Sequence, residues 1–269
     1  MPLETLHPGV HARQARVALF DFDGTVSLIR SGWVDVMVPM MVEILLHLQI
    51  GESEAALRAL VEEYVGRLTG RQTMYQMVEL CRQIELRGGH PLDPLVYKRM
   101  YYERLHNLIE DRIAGLRGGR IAPDRMMVPG ARRFLEAVRE RGLVMYLASG
   151  TDQPYMREEA LLLDLDRYFD GRIFGALDDY KSFSKKILIE RIISGSEFRG
   201  DQFLGFGDGY VEIENIKEVG GVAVGLATDE PLCVNVDETK RRRLAGVGAD
   251  WIVPNYNCYD ELLAVLFPE

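Results

Sequence analysis

The stretch VALFDFDGTVS, residues 17–27, decides the fold and points to the site. Its first four residues, Val17 to Phe20, are an apolar run of the length expected for a buried strand. Asp21 and Asp23 follow at once, although two like charges about 4 Å apart repel by roughly 4 kcal/mol at an effective dielectric near 20. The crowding predicts a site where a bound positive charge offsets that repulsion.

Further short apolar runs follow along the chain, with helical segments between them, and this alternation predicts a doubly wound α/β fold with a parallel sheet. The later runs lie roughly 20 to 30 residues apart, as in βαβ units. They are Val144 to Ala148, Arg172 to Phe174, Gln202 to Phe206, Val222 to Leu226 and Trp251 to Val253.

More than a hundred residues separate the first predicted strand from the second. Within that interval, four segments repeat apolar residues at a spacing of three and four, which is typical of amphipathic helices. We therefore expect an α/β core domain formed by residues 1–30 and 127–269, and an inserted four-helix domain formed by residues 31–126.

Ligands of open α/β sheets bind at the carboxyl ends of the strands. Ser149-Gly150-Thr151 follows the second apolar run, and Gly207-Asp208-Gly209 follows the fourth, with Glu212 shortly after it. Lys185 and Lys186 open an apolar helical segment between those two runs. Each of these motifs alone fits a turn or a helix cap, but all are expected at one edge of the sheet.

This ordered set resembles the four motifs of the haloacid dehalogenase superfamily, and the helical insertion resembles the C1 cap of its phosphatase branch. The resemblance implies a phosphohydrolase with Asp21 as nucleophile and Asp23 as general acid and base. It also implies Mg²⁺, with Asp21, Asp23 (through its main-chain carbonyl), Asp208 and Glu212 as the metal-site residues. Oxygen ligands are those that Mg²⁺ prefers.

The resemblance implies further roles around the phosphoryl group. Ser149 and the Gly150 amide are expected to hold its oxygens, with Thr25 also contacting substrate. Lys185 is the preferred catalytic lysine, with Lys186 and Lys181 as alternatives. Glu212 stands where many relatives have Asp, which leaves open whether it contacts the metal directly or steadies Lys185.

Two arginines are candidates for contacts to the leaving group. Arg30 follows the nucleophile strand closely and is expected to meet an anionic or polyol part of the substrate. Arg71 lies in TGRQT, Thr69 to Thr73, between two predicted cap helices, where C1 caps carry a specificity loop. For Arg30 the alternative is a solvent-exposed arginine, and for the segment that contains Arg71 it is an ordinary interhelical turn.

Other functions fit the motifs less well. A phosphomutase of the β-phosphoglucomutase type also uses both aspartates and stays open as the alternative. A non-catalytic module that binds a phosphorylated ligand is less favoured, because no acidic motif residue is missing. A dehalogenase lacks the second aspartate, and a receiver-like signalling domain has no need of a hundred-residue cap.

Composition limits the partners. The formal net charge of −9 disfavours nucleic acid and anionic membranes as partners. The basic run Lys240 to Leu244 is expected to be an exposed helix end or turn and not a nucleic-acid patch. The three cysteines have no paired spacing, and the first sixteen residues contain no apolar segment of a secretory signal. We expect a cytoplasmic monomer or homodimer that acts on a small phosphorylated metabolite.

Overall fold

A seven-stranded sheet forms the centre of the protein, which this computed structural model describes over residues 3–177 and 184–269. The strand order is β1-β7-β6-β5-β2-β3-β4, and every neighbouring pair is parallel except β1 and β7. The strands are β1 (Glu4–Thr5), β2 (Val17–Asp21), β3 (Val144–Asp152), β4 (Ile173–Ala176), β5 (Phe203–Gly207), β6 (Val222–Leu226) and β7 (Trp251–Val253).

All six predicted strands are present, which confirms the doubly wound α/β fold. The sequence pattern missed β1, because its two residues, Glu4 and Thr5, are polar and too few to show an alternation. They are held by antiparallel pairing with β7, where Glu4 is opposite Ile252.

Successive residues of β2 supply the two apolar layers of the core, as the period of two in a strand requires. Phe20 points into one layer, where its ring stacks on that of Phe206 with 4.5 Å between the centroids. Leu19 belongs to the opposite layer. The helices that accompany the sheet are α5 (Ala131–Glu140), α6 (Gln153–Leu162), α7 (Asp166–Phe169), α8 (Lys185–Gly195), α9 (Tyr210–Glu218), α10 (Glu238–Gly246) and α11 (Tyr259–Leu266).

Four helices between β2 and β3 form the inserted cap and pack on one another, as the sequence predicts. The side chains of Ser53 and Asp93 cap the second and fourth helices by accepting bonds from main-chain amides. No helix of the described ranges is both long and apolar enough to cross a membrane. The cap helices are α1 (Trp33–Leu46), α2 (Glu54–Arg67), α3 (Thr73–Leu86) and α4 (Pro94–Arg117).

The strand order fixes where the site lies. From β2 the chain builds β3 and β4 on one side, and then returns to build β5, β6 and β7 on the other. The carboxyl ends of β2 and β5 therefore lie side by side at the topological switch point. This adjacency brings Asp21 and Asp208 to the same edge of the sheet.

Candidate active site

Asp21 ends β2 and is buried, and two donors fix its carboxylate. Lys185 Nζ donates to Oδ1 at 2.5 Å, and Thr25 Oγ1 donates to Oδ2 at 3.2 Å. Lys185 is also paired with Glu212, whereas Lys186 pairs with Glu218 at the surface. Of the lysines considered from the sequence, Lys185 contacts the acidic site, Lys186 does not, and Lys181 lies outside the described residues.

Burial shifts the pKa values of Asp21, Glu212 and Lys185. Burial raises the pKa of Asp21 well above its usual range, Lys185 opposes that rise, and Glu212 and Asp208 add to it. Burial also raises the pKa of Glu212. For Lys185, burial favours the neutral amine, but the two carboxylates outweigh it and the net effect is a raised pKa. The site therefore holds a lysine cation among carboxylates that need further positive charge.

Asp23 is held in a different way. Ser149 Oγ and Thr151 Oγ1 donate to its Oδ2 at 2.9 and 3.0 Å. Its Oδ1 is buried and has no hydrogen-bond partner among the described residues. Because the two hydroxyls come from the end of β3, this strand orients the second aspartate while one of its oxygens remains available.

Asp208 follows β5 and meets two partners. Its amide donates to Thr25 Oγ1 at 2.9 Å, and its Oδ2 accepts from Lys240 Nζ at 2.9 Å. Lys240 also donates to Glu230 at 2.8 Å. The expectation that the run Lys240 to Leu244 is an exposed helix end or turn is therefore wrong for Leu244, which is buried, and for Lys240. No local pattern marks it, because its partners lie 32 and 10 residues away.

The donor set fits Mg²⁺. The carboxylates of Asp21 and Asp208 lie at adjacent strand ends, and the hard oxygen ligands that this ion prefers are present without thiolates or imidazoles. Within the described residues, no three side chains of His, Cys, Asp or Glu gather in a metal-binding arrangement. Glu212 contacts Lys185, and its metal role stays a prediction.

A cavity of about 80 Å³ joins these residues to the cap. Eight of the ten predicted site residues line the cavity, whereas Thr25 and Glu212 do not. Both the core and the cap contribute further lining residues. The core side consists of Asp21, Asp23, Ser149, Gly150, Thr151, Lys185 and Asp208, and the cap side and its linker consist of Arg30, Trp33, Met37, Thr69, Gly70, Arg71, Thr73, Gln76 and Tyr101.

The loop between α2 and α3 closes directly on the core. A Cβ atom on Gly150 would lie 2.6 Å from the main-chain oxygen of Arg71, and one on Gly70 would lie 2.8 Å from Glu212. Gly70 also has φ of +85°, a conformation that glycine adopts readily. Gly150 therefore allows the loop backbone to contact the end of β3, and Gly70 allows the loop to approach the Glu212 side chain.

Arg30 lines the cavity, but its charge already has a partner. Its guanidinium donates to both carboxylate oxygens of Glu159 at 2.7–3.1 Å, and both side chains are buried. Glu159 was not among the predicted site residues, although it has a signal: it stands three residues after Met156 on the buried face of α6. Arg71 is exposed at the cavity mouth, 5.7 Å from the centre of the Tyr75 ring.

Comparison with solved structures finds the same fold at low sequence identity. A predicted phosphoglycolate phosphatase from Haemophilus somnus 129PT has a TM-score of 0.59 and 13% identity, covering 93% of this chain and 98% of that chain. A β-phosphoglucomutase-like protein from Bacteroides vulgatus has a TM-score of 0.57 and 15% identity, covering 97% and 93%.

A haloacid dehalogenase family hydrolase from Deinococcus radiodurans R1, with bound phosphate and sodium, has a TM-score of 0.54 and 14% identity. The match covers 96% of this chain and 100% of that chain. Comparison with curated protein sequences gives no significant match. The family model of haloacid dehalogenase-like hydrolases matches residues 15–220, which span β2, the cap and the strand ends described above. The chain belongs to the haloacid dehalogenase-like hydrolase family.

Proposed function

We propose that this protein is a Mg²⁺-dependent phosphohydrolase that cleaves a small phosphorylated metabolite through an aspartyl-phosphate on Asp21. One observation carries the proposal. The buried Asp21 carboxylate, bound by Lys185, lines the same cavity as Asp23, whose Oδ1 has no partner among the described residues. A nucleophile and a proton-transfer group thus meet in one small space.

The attack on phosphorus falls to Asp21. A carboxylate needs no base to become a nucleophile once it is ionised, but it must approach an anionic phosphoryl group. The ammonium of Lys185, 2.5 Å from Asp21 Oδ1, reduces that repulsion. The Ser149 hydroxyl and the Gly150 amide, at the end of β3, are suited to bind the phosphoryl oxygens.

Proton transfer falls to Asp23. While Ser149 and Thr151 hold one of its oxygens, the other can give a proton to the leaving alcohol. The same oxygen can then take a proton from the water that attacks the aspartyl-phosphate. The first transfer releases the alcohol, and the second frees inorganic phosphate and restores Asp21.

Asp21, Asp208 and the main-chain carbonyl of Asp23 would hold the Mg²⁺. When bound, the ion supplies positive charge that offsets the repulsion among the carboxylates and the phosphoryl group. Thr25 supports both carboxylate positions from behind, because it donates to Asp21 and accepts from the Asp208 amide.

The same proposal includes the division of the chain into a core, residues 1–30 and 127–269, and a cap domain, residues 31–126. The contact of the α2–α3 loop with Gly150 supports a closed state in which the cap covers the reacting groups. Closure of this kind excludes bulk water while the phosphoryl group is transferred. Opening would then admit substrate and release product.

The test measures phosphate release from p-nitrophenyl phosphate and from sugar, polyol, nucleoside and amino-acid phosphates, with and without Mg²⁺. We expect Asp21→Asn to abolish release and to form no phosphoenzyme. Asp23→Asn should lower the steady-state rate about 10²- to 10⁴-fold. With p-nitrophenyl phosphate, whose leaving group needs no proton, it should accumulate the phosphoenzyme, seen as a mass increase of one phosphoryl group.

Asp111→Asn is the matched control, since Asp111 is an exposed carboxylate of the cap helix α4. It should leave the rates unchanged. Release that survives Asp21→Asn would refute the proposed nucleophile. Conversion of one phosphosugar to an isomer without net phosphate release would instead identify a phosphomutase.

A further inference from the structure

The cap side of the cavity contains one buried polar group that the proposed chemistry does not use. Gln76, on α3, is only 3% exposed and lines the cavity. Its Nε2 donates to the main-chain oxygen of Leu68 at 3.4 Å. Its Oε1 is buried and lacks a hydrogen-bond partner among the described residues. Buried amide oxygens are nearly always paired, so this one points to a donor on a ligand.

The cap helices around Gln76 contribute only neutral side chains to the cavity. Trp33 and Met37 from α1, Thr73 from α3 and Tyr101 from α4 supply apolar surface and hydroxyl groups. A leaving group that touches this wall meets no charged side chain from the cap helices themselves.

The cations of the cavity lining also favour a neutral leaving group. Lys185 is bound to Asp21 and Glu212, and Arg30 is bound through two bonds to Glu159. Arg71 lies at the exposed mouth. Among the described residues, the buried part of the lining therefore offers no unpaired cation to an anionic leaving group that enters beside Asp23, and that arrangement is unfavourable.

The size of the cavity limits the leaving group further. About 80 Å³ has room for only a handful of water-sized groups. With the phosphoryl group at Asp21, the remaining space beside Gln76 suits a short chain, and larger cavities that share Arg71 and Gly150, or Trp33 and Asp208, adjoin it.

We propose that Gln76 is a specificity-determining residue whose Oε1 accepts a hydrogen bond from a hydroxyl of a small, uncharged leaving group. The substrate class is then the phosphate monoester of a short polyol. This inference rests on the proposed phosphohydrolase function, and it names the alcohol that the enzyme releases.

The test compares glycerol phosphate with propyl phosphate, which lacks the hydroxyls. We expect the wild-type enzyme to prefer glycerol phosphate by about 10- to 100-fold in kcat/KM, because a site built around a hydrogen bond rejects the analogue without it. Gln76→Met should remove most of that preference by lowering kcat/KM for glycerol phosphate, chiefly through KM, while propyl phosphate is turned over as before.

Gln83→Met is the matched control. Gln83 is a buried glutamine on the same helix, but it bonds to Glu79 and Arg87 and does not line the cavity. It should retain the preference for glycerol phosphate. Equal use of both esters by the wild-type enzyme would overturn the proposal whether or not the Gln76 variant folds, and so would faster turnover of phosphoglycolate than of glycerol phosphate.

A binding measurement separates this inference from the proposed function. Calorimetric titration of the Asp21→Asn enzyme with glycerol phosphate and with propyl phosphate requires no turnover. Tighter binding of glycerol phosphate, lost in Asp21→Asn/Gln76→Met, supports the role of Gln76 even if no ester is hydrolysed. Equal binding of the two esters refutes that role even if phosphate release is observed.

Discussion

Breaking the ion pair between Arg30 and Glu159 tests whether Arg30 supports the fold or binds substrate. Both side chains are buried, with 7% and 4% of their surfaces exposed, and the guanidinium bonds to both carboxylate oxygens. Removing one partner of a buried pair leaves an uncompensated charge and costs about 3 to 5 kcal/mol. In a chain of this size that loss lowers the midpoint of thermal unfolding by about 10 °C.

The two single variants should differ in their pH dependence. Burial raises the pKa of Glu159 and Arg30 opposes that rise, so Arg30→Met raises it further. Glu159 of the folded variant then binds a proton more tightly than Glu159 of the unfolded chain does. The free energy of unfolding therefore falls as pH rises from the pKa of an ordinary glutamate towards the raised pKa of the folded variant. The loss should therefore be smaller at pH 5 than at pH 8. Glu159→Gln leaves a guanidinium that cannot release its proton, so its loss should not vary across that range.

Thermal and denaturant unfolding at both pH values provide the measurement. Arg58→Met, which removes a half-exposed arginine from an i,i+4 pair on α2, is the control and should change the midpoint little. The double variant Arg30→Met/Glu159→Met should lose less stability than the sum of the single variants, because no charge is left buried. A folded Arg30→Met protein with unchanged stability and a raised KM would refute this reasoning and return Arg30 to a role in substrate binding.

Two further predictions concern the cap contact and the thiols. Gly150→Ala should abolish most phosphate release while the thermal midpoint changes little, because its Cβ would lie 2.6 Å from the Arg71 oxygen and hold the cap loop away. Gly246→Ala, whose Cβ meets open space, is the control, and an active Gly150→Ala enzyme would contradict the closed cap. The three free cysteines are all buried, and burial raises the pKa of the Cys233 thiol to about 11, so Ellman's reagent should label them slowly in the native protein and completely in guanidinium chloride. Fast labelling of all three thiols in the native protein would contradict their burial.

The sequence alone determined the elements and much of the chemistry. Six strands, the helical insertion and the motif residues at strand ends could be predicted, because apolar periodicity and turn residues are local signals. The position of Asp21 beside Asp208 also followed, since parallel strands place their carboxyl ends at one edge of the sheet. Lys185 was favoured over its neighbour Lys186 only through the resemblance to the family motif.

Only the tertiary structure decided which charges pair and which remain available. Arg30 with Glu159, and Lys240 with Asp208, join residues 129 and 32 positions apart, and no periodicity encodes such partners. The orphaned oxygen of Gln76 is likewise visible only when the cap is packed on the core. A hydrogen bond or an ion pair depends on distances of a few ångströms between distant segments, and those distances are set by the packing of whole layers against one another.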